Sequence, residues 1–215
     1  MLVKWNVKKV HIFRFSRWHS GFNYFVGEIQ NKKVFIKVCV GKYNTIPAES
    51  YLCNFTEWDA IPKVIGSENG QLQYIITEFI DYVKIDSIKE TSEIVHIISQ
   101  AREILLYMQN KGIYHRDIRP ENLMIRTVDH KLVLFDFGWA VYRGKNLMPS
   151  AYSFIEQILN IEYRQNDYSF DDAYSMYVSL LKIFGNEYDN YLTLIKERID
   201  KNKLVRSKDG SLKLY

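Results

Sequence analysis

The chain has 215 residues, of which 47% are hydrophobic and 25% are charged. This is an ordinary globular composition, and it excludes a disordered chain. Ten glycines and four prolines also exclude collagen-like and linker-like classes. The net charge of +4 permits an anionic partner but does not demand nucleic acid, so no direct DNA binding is expected. At about 150 residues per domain, the length suits one large domain or two small lobes.

The two cysteines, Cys39 and Cys53, are too few for a disulfide framework, and we expect them to be reduced thiols of an intracellular protein. No apolar run approaches the roughly 18 residues of a membrane span. The first residues carry lysines where a signal peptide needs an apolar region. The expected compartment is therefore the cytoplasm.

The first third of the chain has the pattern of a β-sheet. Short segments rich in Val, Ile, Phe and Tyr predict strands at 10–16, 22–29 and 33–40. A further strand is predicted at 73–79, after the glycine- and asparagine-containing segment 66–70, which predicts a turn. Between these strands, residues 47–59 predict a short helix with Pro47 near its first turn.

From about residue 87 the apolar period becomes helical. The first helix has apolar residues at i, i+3, i+4 and i+7 spacing up to Met108, and Gly112 ends it. A second helix is predicted at 173–184 and a last one at roughly 187–200, with a short apolar strand at 132–135 lying between helices. The pattern predicts a β-rich lobe at 1–80 and a helical lobe at 81–215.

Three motifs carry the chemistry. Residues 115–122 spell His-Arg-Asp-Ile-Arg-Pro-Glu-Asn, residues 136–138 spell Asp-Phe-Gly directly after an apolar strand, and residues 34–37 place a lysine in a strand as Val-Phe-Ile-Lys. In chain order, the strand lysine, the loop at 115–122 and Asp-Phe-Gly together resemble the protein-kinase superfamily, over residues from about 10 to 185. The resemblance implies an α+β, bilobal kinase-like fold with a small antiparallel sheet in its nucleotide-binding N-terminal lobe and a truncated helical C-terminal lobe.

The resemblance also implies the roles of the central residues. Asp117 would accept the proton of the acceptor hydroxyl or orient it, and Arg119 would face the transferring phosphate. Lys37 would contact the α- and β-phosphates of ATP. Asn122 and Asp136 would hold Mg²⁺, which prefers oxygen ligands and shares its shell with the phosphates.

Further residues enter through the same resemblance. A helical glutamate should pair with Lys37, and both Glu49 and Glu57 are candidates, with Glu49 preferred. His115 and Arg116 are expected to support the loop, and Arg116 to pair with a phosphate on the activation segment. Asp172 is expected to anchor the loop backbone, and a helix N-cap is the alternative interpretation. The remaining cofactor-binding residues implied by the resemblance are Ser20, Gly21, Glu78 and Ile80.

The sequence departs from the family at two places. The phosphate loop at residues 16–23 has one glycine, Gly21, instead of three, so Arg17, His19 or Ser20 would have to supply side-chain contacts. No Ala-Pro-Glu motif is found after Asp-Phe-Gly, and about thirty residues follow the helix at 171–184. Such a short chain resembles reduced kinases: the KEOPS kinase, RIO-type kinases and bacterial kinases of lipopolysaccharide or O-antigen sugars.

The acceptor stays open at this point. The catalytic-loop motif favours a Ser or Thr hydroxyl of a protein, whereas the short C-terminal lobe also suits a sugar hydroxyl of a surface glycan. A pseudokinase scaffold is a third hypothesis, which the filled core positions disfavour. The basic segment from Lys196 to Lys213 is expected to be a solvated helix face, or else to dock on the anionic inner face of a membrane.

Overall fold

The computed structural model describes residues 2–14, 21–41, 44–55, 58–143, 145–147, 159–207 and 211–214. Its contacts divide the chain into two compact units, Met1–Ile80 and Asp81–Tyr215. Within the described residues, no helix has both the length and the apolar character needed to cross a membrane.

The first unit is built on a five-stranded antiparallel sheet with the strand order β1-β2-β3-β5-β4. Its elements in chain order are α1 (Leu2–Trp5), β1 (Lys8–Arg14), β2 (Phe22–Ile29), β3 (Lys32–Cys39), α2 (Ile46–Ser50), β4 (Val64–Asn69) and β5 (Gln73–Glu78). The four strands predicted from the sequence are confirmed, each with its described ends within two residues of the prediction. The predicted turn at 66–70 is wrong, because most of that segment belongs to β4.

The two faces of this sheet bury different residues, since side chains alternate along a strand. On one face, Val34, Ile36 and Val38 of β3 pack with other buried residues, among them Tyr74. The opposite face carries Lys37, whose strand neighbours are the buried Ile36 and Val38. The central position of β3, paired with β2 and β5, therefore fixes where the Lys37 side chain emerges.

The helix predicted at 47–59 is shorter than expected. It spans Ile46–Ser50 and continues as a 3-10 helix over Tyr51–Phe55. Polar side chains compete for the backbone here: the Ser50 hydroxyl donates to the Pro47 carbonyl, and the Asn54 amide donates to the Tyr51 carbonyl. Such local bonds favour turns over a continued α-helix.

In its described residues, the second unit combines two long helices with three small antiparallel sheets, ordered β6-β8-β9, β11-β10-β7 and β12-β13-β14. Its elements in chain order are β6 (Tyr82–Lys84), α3 (Thr91–Lys111), β7 (Ile113–Tyr114), β8 (Leu123–Arg126), β9 (Leu132–Leu134), β10 (Val141–Tyr142), β11 (Lys145–Asn146), β12 (Ser169–Asp171), α4 (Asp172–Phe184), α5 (Thr193–Lys196), β13 (Lys203–Arg206) and β14 (Leu212–Leu214).

The predicted end of α3 is confirmed. Its buried side chains are the apolar ones that the helical spacing selected, from Ile94 to Met108. Gly112 then takes the left-handed conformation with φ +66°, which a glycine adopts without steric cost. The end of α4 at Gly185 is likewise where the sequence predicts it.

The two helix predictions for the C-terminal segment are wrong. In place of one helix at 187–200, the chain forms a 3-10 turn at Asn186–Tyr188 and the single-turn α5. The basic segment is not a helix face either, because it contains β13 and β14. Strand β13 pairs with β12, which lies more than thirty residues earlier in the chain. Such a long-range partner leaves no trace in local periodicity.

Candidate active site

Within the first unit, the functional feature is a buried ion pair. Lys37 is 5% exposed, and its Nζ contacts Oε1 of Glu49. The Thr45 hydroxyl donates to the same Glu49 oxygen at 3.1 Å, and the Phe22 ring centroid lies 4.4 Å from Lys37 Nζ. Burying an ammonium group costs free energy unless it is paired, so Glu49 and the ring offset that cost and fix the position of the Lys37 side chain.

The short helix α2 places Glu49 opposite Lys37. Pro47 stands in its first turn, where its fixed φ favours helix initiation. Ile46 is fully buried and packs against Phe22 and Ile75 on the Lys37 side of the sheet. Of the two glutamates predicted from the sequence, Glu49 is therefore the partner of Lys37, and Glu57 lies outside the described residues.

The predicted phosphate loop is only partly described, because Arg17, His19 and Ser20 lie outside the described residues. Gly21 is buried with φ +70°, and its carbonyl accepts backbone hydrogen bonds from Val40 and Gly41 at 2.8 and 3.0 Å. A Cβ at Gly21 would approach Gly41 Cα to 3.3 Å. A glycine is therefore required here to close β2 against the end of β3, and its contact with phosphate stays a prediction.

Two further predicted residues lie at the end of the first unit. Glu78 ends β5, and its Oε1 accepts a hydrogen bond from the Lys63 backbone N–H at 2.9 Å. Ile80 is buried. The Glu78 carboxylate thus helps to fix the start of β4, and a contact of either residue with the nucleotide remains a prediction.

Within the second unit, the loop between β7 and β8 brings Asp117 and Asn122 together. Asp117 is 4% exposed, and the Asn122 amide donates to its carbonyl at 2.8 Å and to its Oδ2 at 3.3 Å. The Phe135 N–H donates to the Asn122 carbonyl at 2.9 Å, and this bond ties the loop to the strand that precedes Asp136. The motifs at 115–122 and 136–138 therefore meet in one place.

The ionisation of Asp117 reflects this environment. Burial raises the pKa of Asp117 to about 7, and the negative charges of Asp136 and Glu121 add to this rise. The Arg119 charge and the Asn122 hydrogen bond lower the same pKa, but they do not overcome burial. The charge of Asp136 acts on Asp117, so the two carboxylates interact electrostatically. Asp136 itself has φ +59°, the left-handed conformation that Asp and Asn tolerate better than other non-glycine residues.

Arg119 lies beside these acids with its side chain 44% exposed. Its Nε is 3.8 Å from Asp117 Oδ2 and 3.9 Å from Glu121 Oε2. These ion pairs are weak, because the distances are long and the Arg119 side chain is partly in contact with water. The guanidinium is therefore held near Asp117 while remaining accessible to an anionic group.

The donor set of this loop fits Mg²⁺. It offers the Asp136 carboxylate and the Asn122 amide, both hard oxygen ligands, with the Asp117 carboxylate nearby. Elsewhere in the described part of the chain, as here, no cluster of three or more His, Cys, Asp or Glu residues could hold a metal on its own. Mg²⁺ suits such a sparse site because it commonly binds one or two carboxylates and completes its shell with phosphate oxygens and water.

Buried groups behind the loop fix its backbone. The Asp172 carboxylate accepts the His115 N–H at 2.7 Å and the Arg116 N–H at 2.9 Å, as the resemblance implied for an anchoring aspartate. The helix N-cap interpretation of Asp172 is not borne out, because the cap of α4 is Asp171. Burial raises the pKa of Asp172 to about 6, against the two backbone N–H groups, which lower it.

His115 and Arg116 are both buried structural residues of this loop. The His115 Nε2–H donates to the Phe135 carbonyl at 2.8 Å, while Nδ1 accepts the Asp117 N–H at 3.2 Å; this assignment follows from the two partners. Burial lowers the pKa of His115 to about 4, so the ring is neutral at pH 7. Arg116 has φ +68° and donates from Nε to the Trp139 carbonyl at 2.6 Å.

Sequence reasoning missed two supporting residues. The Asn160 amide donates to the Ile118 carbonyl inside the catalytic loop at 3.0 Å, across 42 positions of sequence. Thr45 supports Glu49 as described above. The i, i+4 spacing of Thr45 and Glu49 was a usable signal because it places both on one helical face, whereas nothing in the sequence pointed to Asn160.

Two features are typical of a protein-kinase-like fold: the antiparallel sheet with its buried lysine–glutamate pair, and the loop that joins Asp117, Asn122 and the Asp-Phe-Gly segment. Comparison with protein families agrees: the model described as protein kinase domain matches residues 36–165, more than half of the chain. The chain belongs to the protein kinase domain family. The predicted α+β, kinase-like fold class is confirmed, with small sheets added to the helices of the second unit.

The chain is similar to several curated kinases over part of its length. It is 43% identical to the serine/threonine-protein kinase KSP1 of Saccharomyces cerevisiae, over 31% of this chain and 7% of the relative. It is 40% identical to serine/threonine-protein kinase D of Synechocystis, over 36% of this chain and 16% of the relative. A probable casein kinase II subunit alpha homolog of Encephalitozoon cuniculi is 32% identical, over 50% and 36%.

The matched segments thus cover between 7% and 36% of the length of these three relatives. The resemblance to the protein-kinase superfamily is confirmed, whereas the narrower resemblance to KEOPS, RIO and lipopolysaccharide kinases is not.

Proposed function

We propose that this chain is an ATP-dependent protein kinase that transfers the γ-phosphate of Mg-ATP to a Ser or Thr hydroxyl. The observation that carries the proposal is the buried Asp117, which is hydrogen-bonded twice by Asn122 and lies within the electrostatic influence of Asp136. The similarity to kinases named serine/threonine-protein kinases supports the choice of a protein acceptor.

Asp117 orients the acceptor hydroxyl and takes up its proton. Its pKa of about 7 is close to neutral pH, where a general base combines a usable ionised fraction with a useful affinity for the proton. Arg119 lies near Asp117, where its exposed guanidinium stabilises the negative charge of the transferring phosphoryl group.

Lys37 binds the α- and β-phosphates of ATP. Its pairing with Glu49 holds the ammonium group in one position, so little rotamer freedom is lost when phosphate binds. Asn122 and Asp136 would hold Mg²⁺ through their side-chain oxygens. When bound, Mg²⁺ neutralises charge on the β- and γ-phosphate oxygens.

Two other functions are less well supported. A glycan acceptor was suggested by the short C-terminal lobe, but the curated relatives cited above are protein kinases and do not favour it. A pseudokinase scaffold would not need Lys37, Asp117, Asn122 and Asp136 together, and all four are present. Measurable ATP turnover separates an enzyme from a scaffold.

The cytoplasm remains our proposed compartment, on the basis of composition. Membrane docking through the basic residues 196–213 remains a hypothesis. Several of these residues belong to β13 and β14, so they do not form a basic helix face. The support for membrane docking is therefore the positive charge of the segment alone.

The test is to incubate the protein with Mg-ATP and generic protein acceptors such as casein and histone, with lipopolysaccharide in parallel. We expect phosphoserine or phosphothreonine on protein, identified by mass spectrometry, and at least about 100-fold slower formation of this product with the Asp117→Asn variant. Label entering only lipopolysaccharide would replace the protein acceptor with a glycan, and no transfer to any acceptor would remove the enzyme proposal.

A further inference from the structure

The inference concerns the C-terminal hairpin, defined here as β13 and β14 together with residues 200–202 before them. We propose that this hairpin positions the catalytic loop, through a hydrogen bond between Asn202 and Tyr114 and another between Asp200 and Asp171. Tyr114 and Asn202 thereby become positioning residues. The proposal rests on the proposed kinase function for its kinetic consequence, but its structural consequence can be measured without turnover.

Within the second unit, the hairpin is attached to the rest of the fold through β12. Strand β13 pairs with β12 in the register Ser169 with Val205, Phe170 with Leu204 and Asp171 with Lys203. The Asp171 carboxylate then makes three hydrogen bonds: Oδ1 accepts the backbone N–H groups of Ala173 and Tyr174, and Oδ2 accepts the Asp200 N–H at 2.6 Å. One side chain therefore caps α4 and holds the start of the hairpin.

A second connection runs from the hairpin to the residue directly before the catalytic loop. The Tyr114 hydroxyl donates to Asn202 Oδ1 at 2.5 Å, across 88 positions of sequence. The Tyr114 ring belongs to a buried cluster that includes Phe170 of β12 and Leu204 of β13. The Tyr114 ring is thus held by β12 and β13, and its hydroxyl by Asn202 of the hairpin.

These two connections converge on the same short piece of backbone. Asp171 is followed by Asp172, whose carboxylate binds the N–H groups of His115 and Arg116. Tyr114 immediately precedes His115. Residues 114–116, where the chain enters the catalytic loop, are therefore held by hydrogen bonds to both Asp172 and Asn202, and the hairpin restrains both partners.

A stabilising contact alone would have a different signature. Replacing Asn202 by Ala leaves the backbone pairing of β13 with β12 in place, so the hairpin should stay folded. If Asn202 positions the loop, its loss lets residues 114–116 move and misplaces Asp117, which lowers kcat. If it only adds stability, the folded enzyme keeps its kcat and merely melts at a lower temperature.

The experiment compares Asn202→Ala, Tyr114→Phe and the double variant with the wild type. Lys201→Ala is the matched control, because Lys201 is the exposed neighbour in the same segment. We expect kcat to fall about five- to tenfold in each single variant, the usual effect of one lost hydrogen bond, with KM for ATP within about twofold. The double variant should be no worse than either single one, and Lys201→Ala should match the wild type.

Hydrogen exchange of the His115 and Arg116 amides supplies the second measurement, and it needs no substrate. Faster exchange in Asn202→Ala and Tyr114→Phe, but not in Lys201→Ala, supports the proposal. Unchanged exchange and kcat, with only a lower melting temperature, overturn it, as do losses that multiply in the double variant. A wild type without turnover would defeat the proposed function alone, and the exchange result would still decide the positioning role.

Discussion

At the scale of single residues, burial sets the charges around the catalytic loop. Desolvation lowers the pKa of His115 and raises the pKa values of Asp117 and Asp172, so each is pushed towards its neutral form. The backbone and side-chain hydrogen bonds described above hold these groups in fixed orientations. The loop therefore combines a pKa of Asp117 near neutral pH with fixed side-chain orientations, and the proposed role of Asp117 as a general base depends on both.

His115 gives a pH-dependent stability prediction. An unfolded histidine takes up its proton near pH 6.5, whereas His115 in the folded state does so only near pH 4. Between these values the unfolded state binds more protons, so the stability that the neutral ring contributes is lost as the pH falls from about 6.5 towards 4. Between pH 7 and pH 5 this loss should be about 2 kcal/mol.

The measurement is urea unfolding of the wild type and of His115→Asn at both pH values. The destabilisation caused by the substitution should shrink by that amount at pH 5. The difference between the two proteins is needed because Asp172, with its raised pKa, shifts stability in the opposite direction over the same range. His130→Asn is the control, since His130 is exposed and paired with Glu93. An equal destabilisation at both pH values would contradict a buried neutral His115.

Asp136 gives the metal prediction. Asp136→Asn should reduce phosphate transfer by at least about 100-fold, because an uncharged amide neutralises Mg²⁺ less well than a carboxylate does. The fold should persist, since Asn also tolerates the left-handed backbone at this position. The assay is turnover at saturating Mg-ATP, with Asp129→Asn in the β8–β9 turn as control. Near wild-type turnover of Asp136→Asn would rule out its role as the metal ligand.

At the scale of elements, the sequence predicts what local pattern determines. The alternation in β2 and β3 and the helical period of α3 identify those elements, and Gly112 and Gly185 mark two helix ends. The motifs also identify Lys37, Asp117, Asn122 and Asp136, because the functional residues of the kinase family lie in short sequence motifs. Pairings between distant segments are not visible in this way.

The strand β4 illustrates the limit. Its Gly-Ser-Glu-Asn sequence is typical of a turn, yet it pairs with β5 along its length. Gly66 is needed because the Trp5 indole lies on it, and Trp5 Nε1 donates to the Tyr74 hydroxyl at 2.8 Å. A contact between α1 and an edge strand sixty residues later has no local signature. The hairpin contacts of Asn202 and Asp171 escaped prediction for the same reason.

Gly66→Ala tests this packing. A Cβ at position 66 would lie 2.3 Å from the Trp5 ring, so the indole must shift and strain its bond to Tyr74. We expect a loss of about 1–3 kcal/mol in the free energy of unfolding, the usual cost of overpacking. Gly70→Ala is the matched control, because its Cβ would meet only the Glu68 carboxylate at 3.7 Å. If denaturant unfolding gives Gly66→Ala the same free energy of unfolding as the wild type, Trp5 does not pack on Gly66.

At the scale of the whole molecule, the chain has two compact units that carry separate parts of the kinase machinery. The first holds the Lys37–Glu49 pair on an antiparallel sheet, and the second holds the loop of Asp117, Asn122 and Asp136. In the described residues of the second unit, the β12–β13–β14 sheet is connected to the start of the catalytic loop by the hydrogen bond between Tyr114 and Asn202.

The most direct test of the account follows the γ-phosphate itself. The wild type and Asp117→Asn are incubated with casein and with ATP labelled at either the α- or the γ-phosphate, in Mg²⁺ and in excess chelator. We predict that only γ-label enters protein, only with Mg²⁺, and at least about 100-fold more slowly with Asp117→Asn. Transfer that persists in chelator, or that is equal in wild type and variant, would contradict the central claim that this loop catalyses phosphoryl transfer from Mg-ATP.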